Sequence, residues 1–244
     1  MKMWYSKNMK KHLQRTKNKL LSAYYGHPGR DLKILCVTGT TGKSTVAHYV
    51  HDILDTAGYK VNALESGDSV RPSVLQKFLS DTWKSGAEFA IITASTKDLD
   101  NQVFAHLPIY AVVMTNCIPS GLTDMTNEDR LAARTTLFKT APEIVVLNTD
   151  DAHYAEFAKY EGTKATYTYG TQNRPDILIT HSQLYRKGTE AVLTMNRTPI
   201  TVASFVAGEP TVSYMACAVA MAAALKINTK DIVEGISLYE PEEK

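Results

Sequence analysis

Leu32-Lys33-Ile34-Leu35-Cys36-Val37 runs directly into Thr38-Gly39-Thr40-Thr41-Gly42-Lys43-Ser44-Thr45, and the reading of this stretch decides the fold. A short apolar run reads as a buried strand, and the glycines after it as a tight loop. Beyond the loop, Val46, Val50, Ile53 and Leu54 share one helical face, and Gly58 supplies a C-terminal stop. Strand, glycine loop and helix in that order form a phosphate cradle, because glycines let the backbone approach the anion. The loop N–H groups and the helix N-terminus then favour its charge. The strict Walker pattern fails, since Val37 stands where its first glycine belongs; the shorter Gly-x-x-Gly-Lys-Ser remains as Gly39, Gly42, Lys43 and Ser44. Lys43 would reach the β- and γ-phosphates and is the candidate catalytic residue. The Ser44 hydroxyl would bind the bridging Mg²⁺. Gly39, Thr40, Thr41, Gly42, Lys43, Ser44 and Thr45 are the candidate nucleotide-binding residues.

Working outward, strand-like runs at 60–64, 89–92, 110–114 and 144–147 alternate with helical segments at 73–84 and 127–140. That alternation predicts a mostly parallel α/β sheet covered on both faces. From Ala165 the texture changes. Runs at 166–170, 177–179, 191–195 and 200–205, set around the turn residues Lys187-Gly188 and Asn196-Arg197, read as short antiparallel strands forming a small β appendage. An alanine-rich helix at 212–225 and a last helix starting at Asn228-Thr229 close the chain. No internal repeat or low-complexity linker interrupts it.

The 244 residues are 44% hydrophobic and 21% charged, which excludes a disordered, collagen-like or disulfide-dense chain. Cys36, Cys117 and Cys217 form no CxxC pair, so neither a structural zinc nor a disulfide framework is expected. No apolar run is long enough for a membrane span, and none follows the N-terminal lysines as in a secretory signal, so a cytoplasmic location is expected. Net charge is only +2, yet residues 1–30 hold eight basic residues and no acid. Such a leader would suit nucleic acid or an anionic membrane surface. Its apolar residues Met9, Leu13, Leu20, Leu21 and Tyr24 recur instead at helical spacing, as on a helix lying against a domain, and no nucleic-acid partner is expected. The expected organisation is a basic helical leader over 1–23 and one nucleotide-binding domain over 24–244.

The segment Tyr25-Gly26-His27-Pro28-Gly29-Arg30 with 33–45 resembles the start of the central ATP-binding domain of the Mur ligases, particularly the UDP-N-acetylmuramoyl-tripeptide synthetase branch. The resemblance continues through Thr115-Asn116, Leu137-Phe138, Leu147-Asn148-Thr149-Asp150-Asp151 and Leu225-Lys226-Ile227, spanning roughly 24–240. It implies a P-loop-like α/β fold, ATP and Mg²⁺ as cofactors, and Asn116 as a further ATP-binding residue. It also implies an ATP-dependent amide ligase of peptidoglycan synthesis, in which a carboxylate takes the γ-phosphoryl group and an amino-acid amine attacks the acyl phosphate. Family members normally add a domain for the UDP-muramoyl-peptide and another for the amino acid. This chain corresponds to the middle one, so the others are expected from further domains or from a protein partner.

Several family positions differ. The Glu-x-Ser-Ser-His motif reads Thr93-Ala94-Ser95-Thr96-Lys97, and a hydroxyl is a weak magnesium ligand while an ammonium is none. Ser120-Gly121 replaces an Asp-His pair, Arg134 stands for a carbamate-forming lysine, and Thr211 and Tyr214 stand for asparagines around the adenine. Glu65, Asp98 and Asp100 are candidate substitute metal ligands. Asp150 and Asp151 are open between a cap and a site role, and His48, His51, His106, His153 and His181 form no recognisable ligand set. Two main readings follow: an ATP-using amide ligase completed by other domains, or a nucleotide-binding pseudoenzyme that scaffolds or regulates such a ligase. A weaker third is a small-molecule kinase of another P-loop family.

Overall fold

The computed structural model describes residues 2–67, 69–118 and 125–241. After a long N-terminal helix α1 (Lys2–Tyr24), the chain enters β1 (Lys33–Thr38), the glycine loop and α2 (Lys43–Thr56). It continues through β2 (Val61–Leu64), α3 (Pro72–Lys84), β3 (Phe89–Ala94), the short α4 (Thr96–Asp100) and β4 (Ile109–Met114). Then come α5 (Asn127–Phe138), β5 (Ile144–Asn148), α6 (Tyr154–Phe157) and β6 (Ala165–Gly170). The last elements are β7 (Ile177–Tyr185), β8 (Gly188–Met195), β9 (Thr198–Ser204), α7 (Pro210–Ala224) and α8 (Thr229–Leu238).

One sheet runs β2-β3-β1-β4-β5-β6-β7-β8-β9, parallel from β2 to β7 and antiparallel beyond. β1 is central, with Cys36 opposite Ile92 of β3 on one side and Val112 of β4 on the other. Because both faces are covered, β1 is continuously apolar from Ile34 to Val37 rather than alternating. Leu35 and Val37 pack with Val113, Met215 and Ile236 beneath α2, α7 and α8. Ile34 and Cys36 pack with Leu75, Val112, Leu137 and Phe138 beneath α3 and α5. From β1 the chain returns on one side of it as β3 and then crosses to the other as β4. The glycine loop therefore sits at a topological switch point, where α/β sheets open a crevice at the strand ends.

Two expectations change. β6 is parallel to both β5 and β7, so the antiparallel part begins one strand later than its Thr/Tyr texture suggests. Those polar residues are tolerated because much of β6 is only half-buried, and the Asp176 carboxylate accepts from Thr168 N and Oγ1 at 2.8 Å to set the turn. The antiparallel strands extend the main sheet, and Leu193 and Val202 join the core under α7. In α1, Met9, Leu13, Leu20 and Tyr24 face solvent and not the domain. They fall in an arc of about 60°, nearly opposite Asn18. The helix docks through polar groups: buried Asn18 Nδ2 donates to Gln102 O at 2.6 Å, and Arg15 Nε to Gln102 Oε1 at 2.8 Å. Among the described residues, no helix is long and apolar enough to cross a membrane.

Candidate functional site

The loop between β1 and α2 is held by the end of β4. Thr115 N donates to Thr38 O at 2.9 Å and Thr40 N to Asn116 O at 3.0 Å. The Asn116 side chain closes on Thr41, accepting from its N at 3.1 Å and donating to its Oγ1 at 3.0 Å. Thr115 Oγ1 adds a 2.7 Å bond to Thr41 O. The two glycines are sterically required. A Cβ on Gly39, at φ +148°, would lie 1.9 Å from Thr115 Oγ1, and one on Gly42, at φ +77°, would lie 2.1 Å from the Tyr214 ring.

Within this frame the sequence-derived residues take distinct places. Lys43 opens α2 and folds its ammonium onto the loop, donating to Gly39 O and Thr40 O at 3.1 Å each. Burial, and then the neighbouring Arg134 charge, lower its pKa below the ordinary lysine value. Ser44 Oγ donates to Glu65 Oε2 at 2.5 Å, and Glu65 Oε1 meets His48 Nε2 at 2.7 Å. His48 is in turn stacked on Tyr239. Thr45 lies half-buried in the first turn of α2. The structure thus gathers Gly39 to Ser44 with Asn116, the latter as a clamp on the loop.

Of the candidate carboxylates, Glu65 bonds to Ser44 at the end of the loop. Asp98 is fully buried and accepts from Ser69 Oγ, Val70 N and Ser95 Oγ, which ties two connections together. Asp100 ends α4. Asp150 accepts from Thr171 N and Gln172 N, and Asp151 from Cys117 N and His153 N, so both cap loops. Thr93 Oγ1 accepts from Ser66 N at 2.8 Å, and Lys97 is exposed. Ser120-Gly121 lies outside the described residues. Among the described residues no group of three or more His, Cys, Asp or Glu forms a metal centre, so a magnesium ion would depend on Ser44, Glu65 and phosphate oxygens.

Two residues that the sequence marked only as replacements form walls of the loop. Tyr214, from α7, packs its ring on Gly42 and donates to Thr41 Oγ1 at 3.1 Å. Arg134, from α5 and 2% exposed, donates from Nη2 to Thr40 Oγ1 at 3.0 Å and from Nη1 to Cys117 Sγ at 2.9 Å. Desolvation lowers its pKa and raises that of the Cys117 thiol. Their side-chain types alone gave no signal of these contacts, which depend on helices brought in from distant sequence.

Residues 37–222 match the Mur ligase middle domain, most of the chain. The chain belongs to the Mur ligase middle-domain family. It is 28% identical over 94% of its length to the UDP-N-acetylmuramoyl-L-alanyl-D-glutamate--2,6-diaminopimelate ligase of Chlamydia pneumoniae, covering 51% of that protein. Against the solved structure of a ligase of the same name it reaches a TM-score of 0.80 at 23% identity, over 88% of this chain and 48% of that one. The MurF ligase of Thermotoga maritima, solved in complex with ADP, matches at a TM-score of 0.72 and 16% identity, over 94% and 53% of the two chains. The Mur ligase middle domain described here thus spans about half the length of these relatives.

Proposed function

We propose that this Mur ligase middle domain binds Mg-ATP through Gly39 to Thr45 and Asn116 and serves ATP-dependent carboxylate–amine ligation on peptidoglycan precursors in the cytoplasm. The observation that carries the reading is the cradle itself. The glycine loop leads straight into the N-terminus of α2, with Lys43 folded onto the loop and the Ser44–Glu65 pair beside it. The ADP in a relative of the same fold supports the choice of nucleotide. Mg²⁺, when bound, would neutralise phosphate charge, and Ser44 and Glu65 are its fitting holders. Lys43 would leave its loop carbonyls and follow the charge shifting onto the γ-phosphate. In the ligation, a substrate carboxylate oxygen bonds to the γ-phosphorus as its bond to the β-phosphate bridging oxygen breaks, releasing ADP. An amino-acid amine then attacks the acyl carbon and expels phosphate, losing its proton to a base. The UDP-muramoyl-peptide and amino-acid sites belong to chain beyond this domain or to a partner.

A second reading, a nucleotide-binding pseudoenzyme that scaffolds or regulates such a ligase, draws on Thr93 being spent on Ser66 N and on the exposed Lys97. Calorimetric titration of Mg-ATP into wild type and Lys43→Ala tests binding, with weakening by about 1.5–3 kcal/mol expected for a lost charged hydrogen bond. Binding by neither chain would remove the nucleotide reading. Multiple-turnover phosphate release with a UDP-muramoyl-peptide and an amino acid then separates ligase from scaffold.

A further inference from the structure

We infer that Arg134 is a fixed counter-cation for the nucleotide's terminal phosphate, built into the loop wall at Thr40 in place of a second divalent ion. The inference rests on the nucleotide reading above and deepens it. A guanidinium carries five N–H donors and stays charged. Arg134 is buried, yet among the described residues its hydrogen-bond partners are one hydroxyl, Thr40 Oγ1, and one weak acceptor, Cys117 Sγ, and its buried Nε has none. Asp151, whose field reaches Arg134, gives its oxygens to the N–H groups of Cys117 and His153. Arg130 adds charge of the same sign, and Arg134 in turn lowers the pKa of Lys43 across the loop. Burying such charge is costly without a counter-ion. A phosphate seated on the loop supplies one, reached from Thr40 by the same guanidinium.

The residues standing at the family's magnesium and carbamate positions point the same way. Thr93 offers a hydroxyl already engaged with Ser66 N, Lys97 an exposed ammonium and Arg134 a guanidinium. None supplies the anionic oxygens a hard cation needs. The charge that a second ion would carry is covalently present.

The test is calorimetry on the full chain with ADP and ATP, each with Mg²⁺, for wild type, Arg134→Lys and Arg134→Met. Wild type should bind ATP more tightly than ADP. Arg134→Met should lose about tenfold in ATP affinity while ADP affinity stays within about twofold, as for one charged hydrogen bond lost at the terminal phosphate. Arg134→Lys should recover most of the difference. A structural role would weaken both nucleotides together, and that result overturns the inference, as does an unchanged ATP preference in Arg134→Met. If Arg134→Met fails to fold, Arg134→Lys and a Mg²⁺ titration of the wild-type ATP complex decide. Saturation at one Mg²⁺ per nucleotide supports the inference, and a second bound Mg²⁺ overturns it. Absence of any nucleotide binding by wild type overturns this inference and the nucleotide reading together. Equal loss of ATP and ADP overturns this inference alone.

Discussion

Ser44 Oγ lies 2.5 Å from Glu65 Oε2, joining the first turn of α2 to the end of β2. The pair brings a hydroxyl and a carboxylate to one edge of the phosphate loop, the donor set for a hard cation shared with phosphate oxygens. If magnesium is held there, Glu65→Gln weakens ATP binding only when Mg²⁺ is present. Titrations in Mg²⁺ and in EDTA should differ for wild type and converge for Glu65→Gln, with a loss of about tenfold in the Mg²⁺ arm. An equal loss in both arms would assign Glu65 to holding Ser44 and His48 in place.

Tyr214 covers Gly42, and a Cβ at that glycine would meet the ring at 2.1 Å. Gly42→Ala should therefore lower thermal stability through two independent causes, the ring clash and a left-handed φ of +77° that costs about 1–2 kcal/mol in an L-residue. Adding Tyr214→Ala should relieve the first and leave the second. A double-mutant cycle by denaturant unfolding should then show positive coupling between the sites. Strict additivity would mean that the ring moves aside at little cost.

How much could be read in advance followed sequence distance. The strand, loop and α2 are local, and their apolar spacing and glycines identify them. The sheet's continuation past β6 is not local: it depends on Tyr169 pairing with Ile177 across a turn, which composition does not encode. Helical spacing in α1 reveals an apolar stripe without saying which side meets the domain, and buried Asn18 with Gln102 decides it. Arg134 and Tyr214 were visible only as missing family residues. Their replacement contacts to Thr40 and Thr41 bridge 94 and 173 positions.

Asp98 resembles a metal ligand by its place after β3, yet its oxygens are occupied by Ser69 Oγ, Val70 N and Ser95 Oγ in a fully buried site. Asp98→Ala should cost about 2–4 kcal/mol in unfolding free energy, because several donors lose a charged acceptor at once. ATP affinity measured on the folded fraction should hold. A selective loss of Mg²⁺-dependent binding without destabilisation would return Asp98 to the metal site.

On α1, Leu13 and Leu20 are exposed while Asn18 is buried against Gln102 O. Leu13→Glu with Leu20→Glu should leave the urea midpoint within the scatter of surface changes, about 0.5 kcal/mol. Asn18→Leu should lower stability by about 1–3 kcal/mol, since it strips a buried carbonyl of its donor. The opposite ranking would place the leucines against the domain.

Lys43 gives the pH dependence its sign. In the free domain, burial and the Arg134 charge hold its pKa below the ordinary lysine value. A bound polyphosphate, being anionic, raises it. Between those two values binding takes up a proton, so ATP affinity is level below the free-domain value and falls as pH rises above it, by at most about tenfold per pH unit. The decline should begin at lower pH than an ordinary lysine titrates. Lys43→Arg, whose charge persists, should flatten this alkaline limb even if its neutral-pH affinity drops. Calorimetry in buffers of different ionisation enthalpy reads the proton uptake directly. An alkaline limb and proton uptake that both survive in Lys43→Arg would move the titrating group elsewhere.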